Sequence, residues 1–156
     1  GDVYKRQVLD MARRVVSCER LILSEASVIF EILADPSRHA AIDGSGTVQG
    51  HVGEQRRLVL GSTFVMKMRF GVPYRIKSRV YEFEEGRLIA WGHWGGHRWR
   101  YELEEVGDRT RVIETFDWST SRLPIAIQIL GYPRRHRRNM EQTLQRLAKL
   151  VESANG

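Results

Sequence analysis

Cysteine is almost absent from this chain of 156 residues. With Cys18 alone, a disulfide framework is excluded, and a four-cysteine zinc site is excluded with it. A reducing, cytoplasmic compartment is the expectation that follows. Also missing is any apolar run near the roughly 20 residues of a membrane span, and the N-terminus lacks the hydrophobic core of a signal peptide. No internal repeat, linker or low-complexity tract interrupts the chain. It carries no nucleotide-binding, nucleophile-triad or metal motif either. Its hydrophobic content of 42% suffices for one sizeable core in one compact domain. The net charge of +6 comes from 25 basic residues widely interleaved with 19 acidic ones, so charge by itself names no anionic partner. Residues 1–10 show no periodic pattern and are expected to be a non-native or disordered leader, with Met11 as the natural start and 11–156 as a single domain.

The apolar pattern changes period along the chain. Val15 to Leu23 reads as a strand. Ser24, with Val28, Ile29, Ile32 and Leu33 beyond it, reads as a capped amphipathic helix. Asp35-Pro36 stops that helix, and Pro36 suits the first turn of a second short one, Ser37 to Ile42, which ends at the turn cluster Asp43-Gly-Ser-Gly46. Alternation then takes over. Phe64, Met66, Met68 and Phe70 share one strand face, with Lys67 and Arg69 on the other. Tyr74, Ile76, Ser78 and Val80 oppose Arg75, Lys77 and Arg79 in the same way, after a hairpin connection at Gly71-Val-Pro73. Glu85-Gly86, Gly95-Gly96 and Gly107-Asp108 punctuate further strands, as in an antiparallel meander. Met140, Leu144, Leu147, Leu150 and Val151 return to helical spacing behind Pro133, predicting a helix of about 20 residues, long enough to lie across the sheet.

The order strand, two short helices, six-stranded meander and long helix carries a resemblance. It rests on Phe30-Glu-Ile-Leu-Ala-Asp-Pro-Ser37, Asp43-Gly-Ser-Gly46, Glu85-Gly-Arg-Leu-Ile-Ala-Trp91, Trp99-Arg-Tyr-Glu-Leu-Glu104, Thr110-Arg-Val112 and Met140-Glu-Gln-Thr-Leu-Gln-Arg-Leu147. Taken in that order, they resemble the START-like or SRPBCC superfamily, to which the birch-pollen allergen belongs, and within it the polyketide cyclase/dehydrase branch. The resemblance implies an α+β helix-grip fold: a curved antiparallel sheet of about seven strands around a long C-terminal helix, with two short helices between the first two strands. It also implies a cavity between sheet and helix, more firmly than it implies catalysis.

Strand register decides which side chains share that cavity. A two-residue turn at Gly107-Asp108 pairs Leu103 with Val112, Tyr101 with Glu114, Trp99 with Phe116 and His97 with Trp118, and on the other face sets Glu104 opposite Arg111 and Arg98 opposite Asp117. A slip by one residue ruins both faces. The ring-rich stretch Trp91 to Tyr101 is less constrained. A two-residue Gly95-Gly96 turn aims Leu88, Ala90, Gly92 and Trp94 inward, whereas a three-residue Trp94-Gly95-Gly96 loop aims Ile89, Trp91 and His93 inward. The second is preferred, because Gly96 can supply the positive φ such loops require.

The expected function is binding of a small, largely hydrophobic ligand, lipid-like, polyketide-like or aromatic. On the sheet side the expected lining is Phe64, Met66, Met68, Ile76, Ser78, Trp91, His93, Trp99, Tyr101, Glu114 and Phe116. Ile129, Met140 and Leu144 complete it, and Leu123 to Tyr132, with Pro124, Ile125, Ile129 and Gly131, is either an entrance flap or buried packing. A filled core of the same residues is the bland alternative. Glu114 beside Tyr101 on an apolar face could instead be the acid/base pair of a cyclase or dehydratase. No cofactor or metal is expected, since His93 and His97 are too few ligands for a catalytic zinc. Arg134, Arg135, Arg137 and Arg138 open the long helix against its dipole and suggest an acidic partner. The basic face of Lys67, Arg69, Arg75, Lys77 and Arg79 leaves an adaptor for nucleic acid or acidic membrane as a further alternative, without any specific nucleic-acid motif.

Overall fold

The computed structural model describes residues 5–53, 56–122 and 132–155, with the side chains at 5, 132–134 and 154–155 outside that description. Its strands are β1 (Lys5–Asp10), β2 (Val15–Ile22), β3 (Val48–Val52), β4 (Thr63–Phe70), β5 (Val72–Glu84), β6 (Leu88–Gly92), β7 (Arg98–Val106) and β8 (Arg109–Asp117). Helices α1 (Ala26–Leu33) and α2 (His39–Ile42), with a 3-10 turn at Pro36–Arg38 between them, separate β2 from β3, and α3 (Tyr132–Asn155) closes the chain. All strands join one antiparallel sheet in the order β1-β2-β8-β7-β6-β5-β4-β3, so the six-stranded meander is closed on one side by β2 pairing with β8. This is the α+β helix-grip architecture, with eight strands in place of about seven. Among the described residues, no helix is long and apolar enough to cross a membrane.

The extra strand, β1, lies within 1–10, the segment expected to be a non-native or disordered leader. Lys5–Asp10 pairs along its whole length with β2. Backbone groups alone make that ladder, and an edge strand needs no alternating apolar face to form it. The connecting turn holds Arg14 at φ 59° and is tied by the Arg13 N–H donating to Asp10 Oδ1 at 3.0 Å.

Two local expectations also shift. Glu25, not Ser24, occupies the N-cap of α1, without a side-chain cap. Ser24 is buried, and its carbonyl accepts from Thr110 Oγ1 at 2.8 Å. The second helix starts as a 3-10 turn because Asp35 accepts from Ser37 N–H, with Pro36 fixing the first turn. Between α1, the sheet and α3 lies a core that includes Ile29, Phe30, Leu33, Leu103, Val112, Leu144, Leu147 and Val151.

Candidate functional site

The β4–β5 hairpin turns at Gly71 alone, pairing Phe70 with Val72. In its register Phe64 faces Ser78, Met66 faces Ile76 and Met68 faces Tyr74, so all six side chains fall on the concave side. The β7–β8 ladder pairs Leu103 with Val112, Tyr101 with Glu114 and Trp99 with Phe116, with Glu104 opposite Arg111 and Arg98 opposite Asp117. The ladder stops at Arg98, however, so His97 and Trp118 do not pair as expected.

In the β6–β7 hairpin Trp91 pairs with Trp99 and Ile89 with Tyr101, the parity of the odd-numbered loop. Gly96 takes φ 90°, and its N–H donates to His93 O at 3.0 Å. Trp91 is thereby carried to the cavity, while Trp94 points away and is 80% exposed.

These elements, the α2–β3 corner and α3 enclose a cavity of about 600 Å³, within the usual range for small-molecule sites. Phe64, Met66, Met68, Ile76, Ser78, Trp91, His93, Trp99, Tyr101, Glu114, Phe116 and Met140 all line it. Leu144 does not. One turn along α3 from Met140 the helix has rotated toward the core, where Leu144 packs with Leu147 and Val151, and Thr143 takes the cavity position. Ile129 and the rest of the suggested flap, 123–131, lie outside the described residues.

Tyr101 and Glu114 are both buried in the cavity wall. The Tyr101 hydroxyl donates to Glu114 Oε1 at 2.7 Å, whereas Glu114 Oε2 is buried with no partner among the described residues. Burial pushes the Glu114 carboxyl up to about 8, with the Tyr101 hydroxyl opposing the shift and the charge of Asp43 adding to it. Burial likewise holds the Tyr101 phenol well above its ordinary value. At neutral pH the pair is therefore predominantly a protonated carboxyl and a phenol, and with the phenol's one proton given to Oε1 the carboxyl is the group able to donate into the apolar space.

Four histidines surround that space: His93, expected in the lining, His97, expected on the inner face, and His39 and His136, which the sequence did not single out. His39 stacks on Trp91 with centroids 4.8 Å apart and an interplanar angle of 16°, and its Nε2 lies 2.8 Å from Leu33 O. His97 meets His93 edge-on at 4.3 Å, and His136 packs on Phe116 at 4.5 Å and Trp99 at 4.9 Å. Burial lowers the pKa of all four, bringing His97 and His136 to about 4, so they are neutral at pH 7. Among the described residues, no group of three or more His, Cys, Asp and Glu side chains is placed to hold a metal ion.

The α2–β3 corner, read from sequence only as a turn, is also part of the wall. Asp43 accepts from Ser45 N–H and Val48 N–H, which aims Ser45 and Thr47 at the cavity. Arg135, in the arginine cluster that opens α3, joins His136 and Asn139 in the lining, while Arg138 lies beside a separate groove toward β2 and the Arg134 side chain is outside the described residues. Cys18 is buried, its thiol directed at Arg137 O and pushed up to about 12 by burial and then by Glu114, so it remains neutral.

No protein-family model matches the chain. The uncharacterised protein Rv0088 of Mycobacterium tuberculosis is 45% identical over 120 residues, covering 76% of this chain and 54% of that protein, so the chain spans about half the length of the curated relatives it matches. Among solved structures, protein Ms6760 from Mycobacterium smegmatis superposes with a TM-score of 0.71 at 13% identity, over 98% of this chain and 99% of its own. An AHSA1-like protein from Aeromonas hydrophila gives 0.63 at 22% identity, over 90% and 94%. The likenesses to solved structures show a shared fold, the helix grip.

Proposed function

We propose that this chain is a ligand-binding module of the START-like, SRPBCC type, which encloses a small and largely apolar molecule between its sheet and α3. One observation carries the reading. A cavity of about 600 Å³ is walled by Phe64, Met66, Trp91, Trp99 and Phe116, and the same wall holds a buried Glu114 carboxyl oxygen with no partner among the described residues. An apolar space with few polar groups selects for ligand shape, and the neutral Glu114 carboxyl asks for an oxygen acceptor, such as a carbonyl, on a lipid-like, polyketide-like or aromatic guest. The neutral histidines add flat surface without charge. The buried thiol of Cys18 suits the reducing cytoplasm.

Native mass spectrometry of gently purified protein should show a bound small molecule. Ser78→Phe, which fills the cavity from β5, should lose it and should also lose binding of the apolar dye anilinonaphthalene sulfonate. An empty protein that takes up no dye would sink the proposal.

A second reading is supported by the Glu114 pKa of about 8. A carboxyl that titrates near neutrality is matched to general acid/base work. In a cyclase or dehydratase of the polyketide cyclase type, the Glu114 carboxylate would take a proton from the carbon next to a carbonyl. The resulting acid, or the Tyr101 phenol, would then return a proton to the departing hydroxyl as water leaves. Glu114→Gln separates the readings: retained ligand affinity with lost turnover supports the enzyme, whereas retained affinity with no turnover in either protein leaves binding alone.

A further inference from the structure

The cavity reaches the surface at the β4–β5 hairpin, where its lining residues Phe70 and Tyr74 are exposed. There the hairpin tip leaves Phe70 66% and Val72 67% exposed, and the neighbouring loop leaves Trp94 80% exposed. Leu60 is as exposed elsewhere, but Phe70 and Val72 are paired neighbours at the hairpin tip, and adjoining exposed apolar side chains mark a candidate contact surface. Phe70 also lines the cavity, so the apolar patch is continuous with the cavity wall.

The other face of the same two strands carries charge of one sign. From Thr63 to Tyr81 the chain carries Lys67, Arg69, Arg75, Lys77 and Arg79 and no acidic residue. All five are exposed, and among the described residues none has a carboxylate within ion-pair distance. Lys67 lies directly opposite Arg75, a repulsion that the sheet tolerates without relief. At the other end of the sheet, beside the β5–β6 and β7–β8 turns, exposed Glu84, Glu85 and Glu104 are paired with Arg87, Arg57 and Arg111. Strands β4 and β5 thus carry a stripe of cations, unpaired among the described residues, on the face away from the cavity lining, with Arg69 and Arg75 nearest the apolar tip, whereas at the opposite end carboxylates and arginines pair with one another.

We infer that the open end of the cavity docks on an anionic lipid bilayer, with Trp94, Phe70 and Val72 entering the interface and the β4–β5 cations meeting the headgroups. The chemistry fits on both counts. An indole prefers the boundary between headgroups and acyl chains, and a cluster of lysines and arginines is drawn to an acidic leaflet. A nucleic acid would use the charges, but would leave Phe70 and Val72 in water. Docked in this way, the cavity would face the source of an apolar guest, although docking itself does not depend on what the cavity holds.

The test uses the full chain with phosphatidylcholine vesicles, with and without phosphatidylserine. Co-sedimentation is expected with the mixed vesicles and should weaken as salt is raised. Tryptophan emission should shift to the blue and be quenched by brominated acyl chains. Trp94→Phe should remove most of the quenching. The double substitution Arg69→Glu, Arg75→Glu should weaken vesicle binding by at least about tenfold, since each basic residue contributes measurably at an acidic surface. These positions are exposed, so anilinonaphthalene sulfonate uptake by the cavity should persist in each variant and reports separately on the ligand reading. Equal binding to neutral vesicles, no quenching through Trp94, salt-sensitive binding to an RNA homopolymer in place of vesicles, or a dimer in solution that Trp94→Ala dissociates would each overturn the proposal.

Discussion

Tyr101 and Glu114 face each other across β7 and β8, and the phenol donates to one carboxyl oxygen at 2.7 Å while the other oxygen is buried without a partner. The hydroxyl works against the upward shift of the Glu114 pKa. Tyr101→Phe should therefore raise that pKa further, and it leaves both carboxyl oxygens unsatisfied. The expected cost at neutral pH is about 1–3 kcal/mol, the penalty for an orphaned buried polar group. Urea denaturation measures it. An unchanged midpoint would mean that a ligand or water already holds the carboxyl.

The same carboxyl sets a pH dependence with a definite sign. The folded pKa of about 8 lies above the ordinary value of 4.5, so the folded state binds a proton that the unfolded chain has released. Stability from this group is fully present below pH 4.5 and is lost as pH rises through 8. From pH 6.5 to 8 the protein should lose stability, and Glu114→Gln should flatten that slope. Thermal melts across the window give the comparison. A wild-type curve as flat as that of the variant would place the Glu114 titration elsewhere.

On the acid side the histidines act in the opposite sense. His97 and His136 titrate at about 4 in the fold against 6.5 ordinarily, so the unfolded chain takes up protons that the fold excludes. Their contribution is present above pH 6.5 and is lost as pH falls through 4. His136→Phe keeps the ring contacts with Trp99 and Phe116 and removes one titration. It should make the protein less sensitive to acid between pH 6.5 and 4, which denaturant midpoints at several pH values would show.

How much of this the sequence discloses depends on whether the signal is local. The β7–β8 register is legible because two faces constrain it together: Tyr101 with Glu114 inside, Glu104 with Arg111 outside. The parity of the β6–β7 hairpin follows from loop length and Gly96. His136 is hidden among four arginines, a composition that reads as solvated charge, although its spacing of four from Met140 puts both on one helical face. The Asp43–Thr47 corner is hidden for a different reason. Its turn chemistry is local, but its place in the cavity wall depends on contact with α3, which begins 89 positions after Asp43 (132 − 43). Lys5–Asp10 gives no signal because an edge strand can be made by backbone pairing alone.

Gly44 shows how closely that corner and α3 are joined. Its N–H donates to Thr143 Oγ1 at 2.8 Å, and a Cβ placed on it would come within 2.2 Å of Asn139 O and 2.7 Å of Thr143 N. Both are backbone atoms of a packed helix and cannot rotate aside. Gly44→Ala must then push α3 away from the corner, and with it Asn139, Met140 and Thr143, all of which line the cavity. Overpacking of this kind costs about 1–3 kcal/mol, so the urea midpoint should fall and dye uptake by the cavity should change with it. Gly50→Ala is the control, since nothing lies within 4 Å of a Cβ there. Equal behaviour of the two variants would mean that α3 is not seated on the Asp43–Thr47 corner, and the cavity would then lack the wall that the polar side chains of this corner provide.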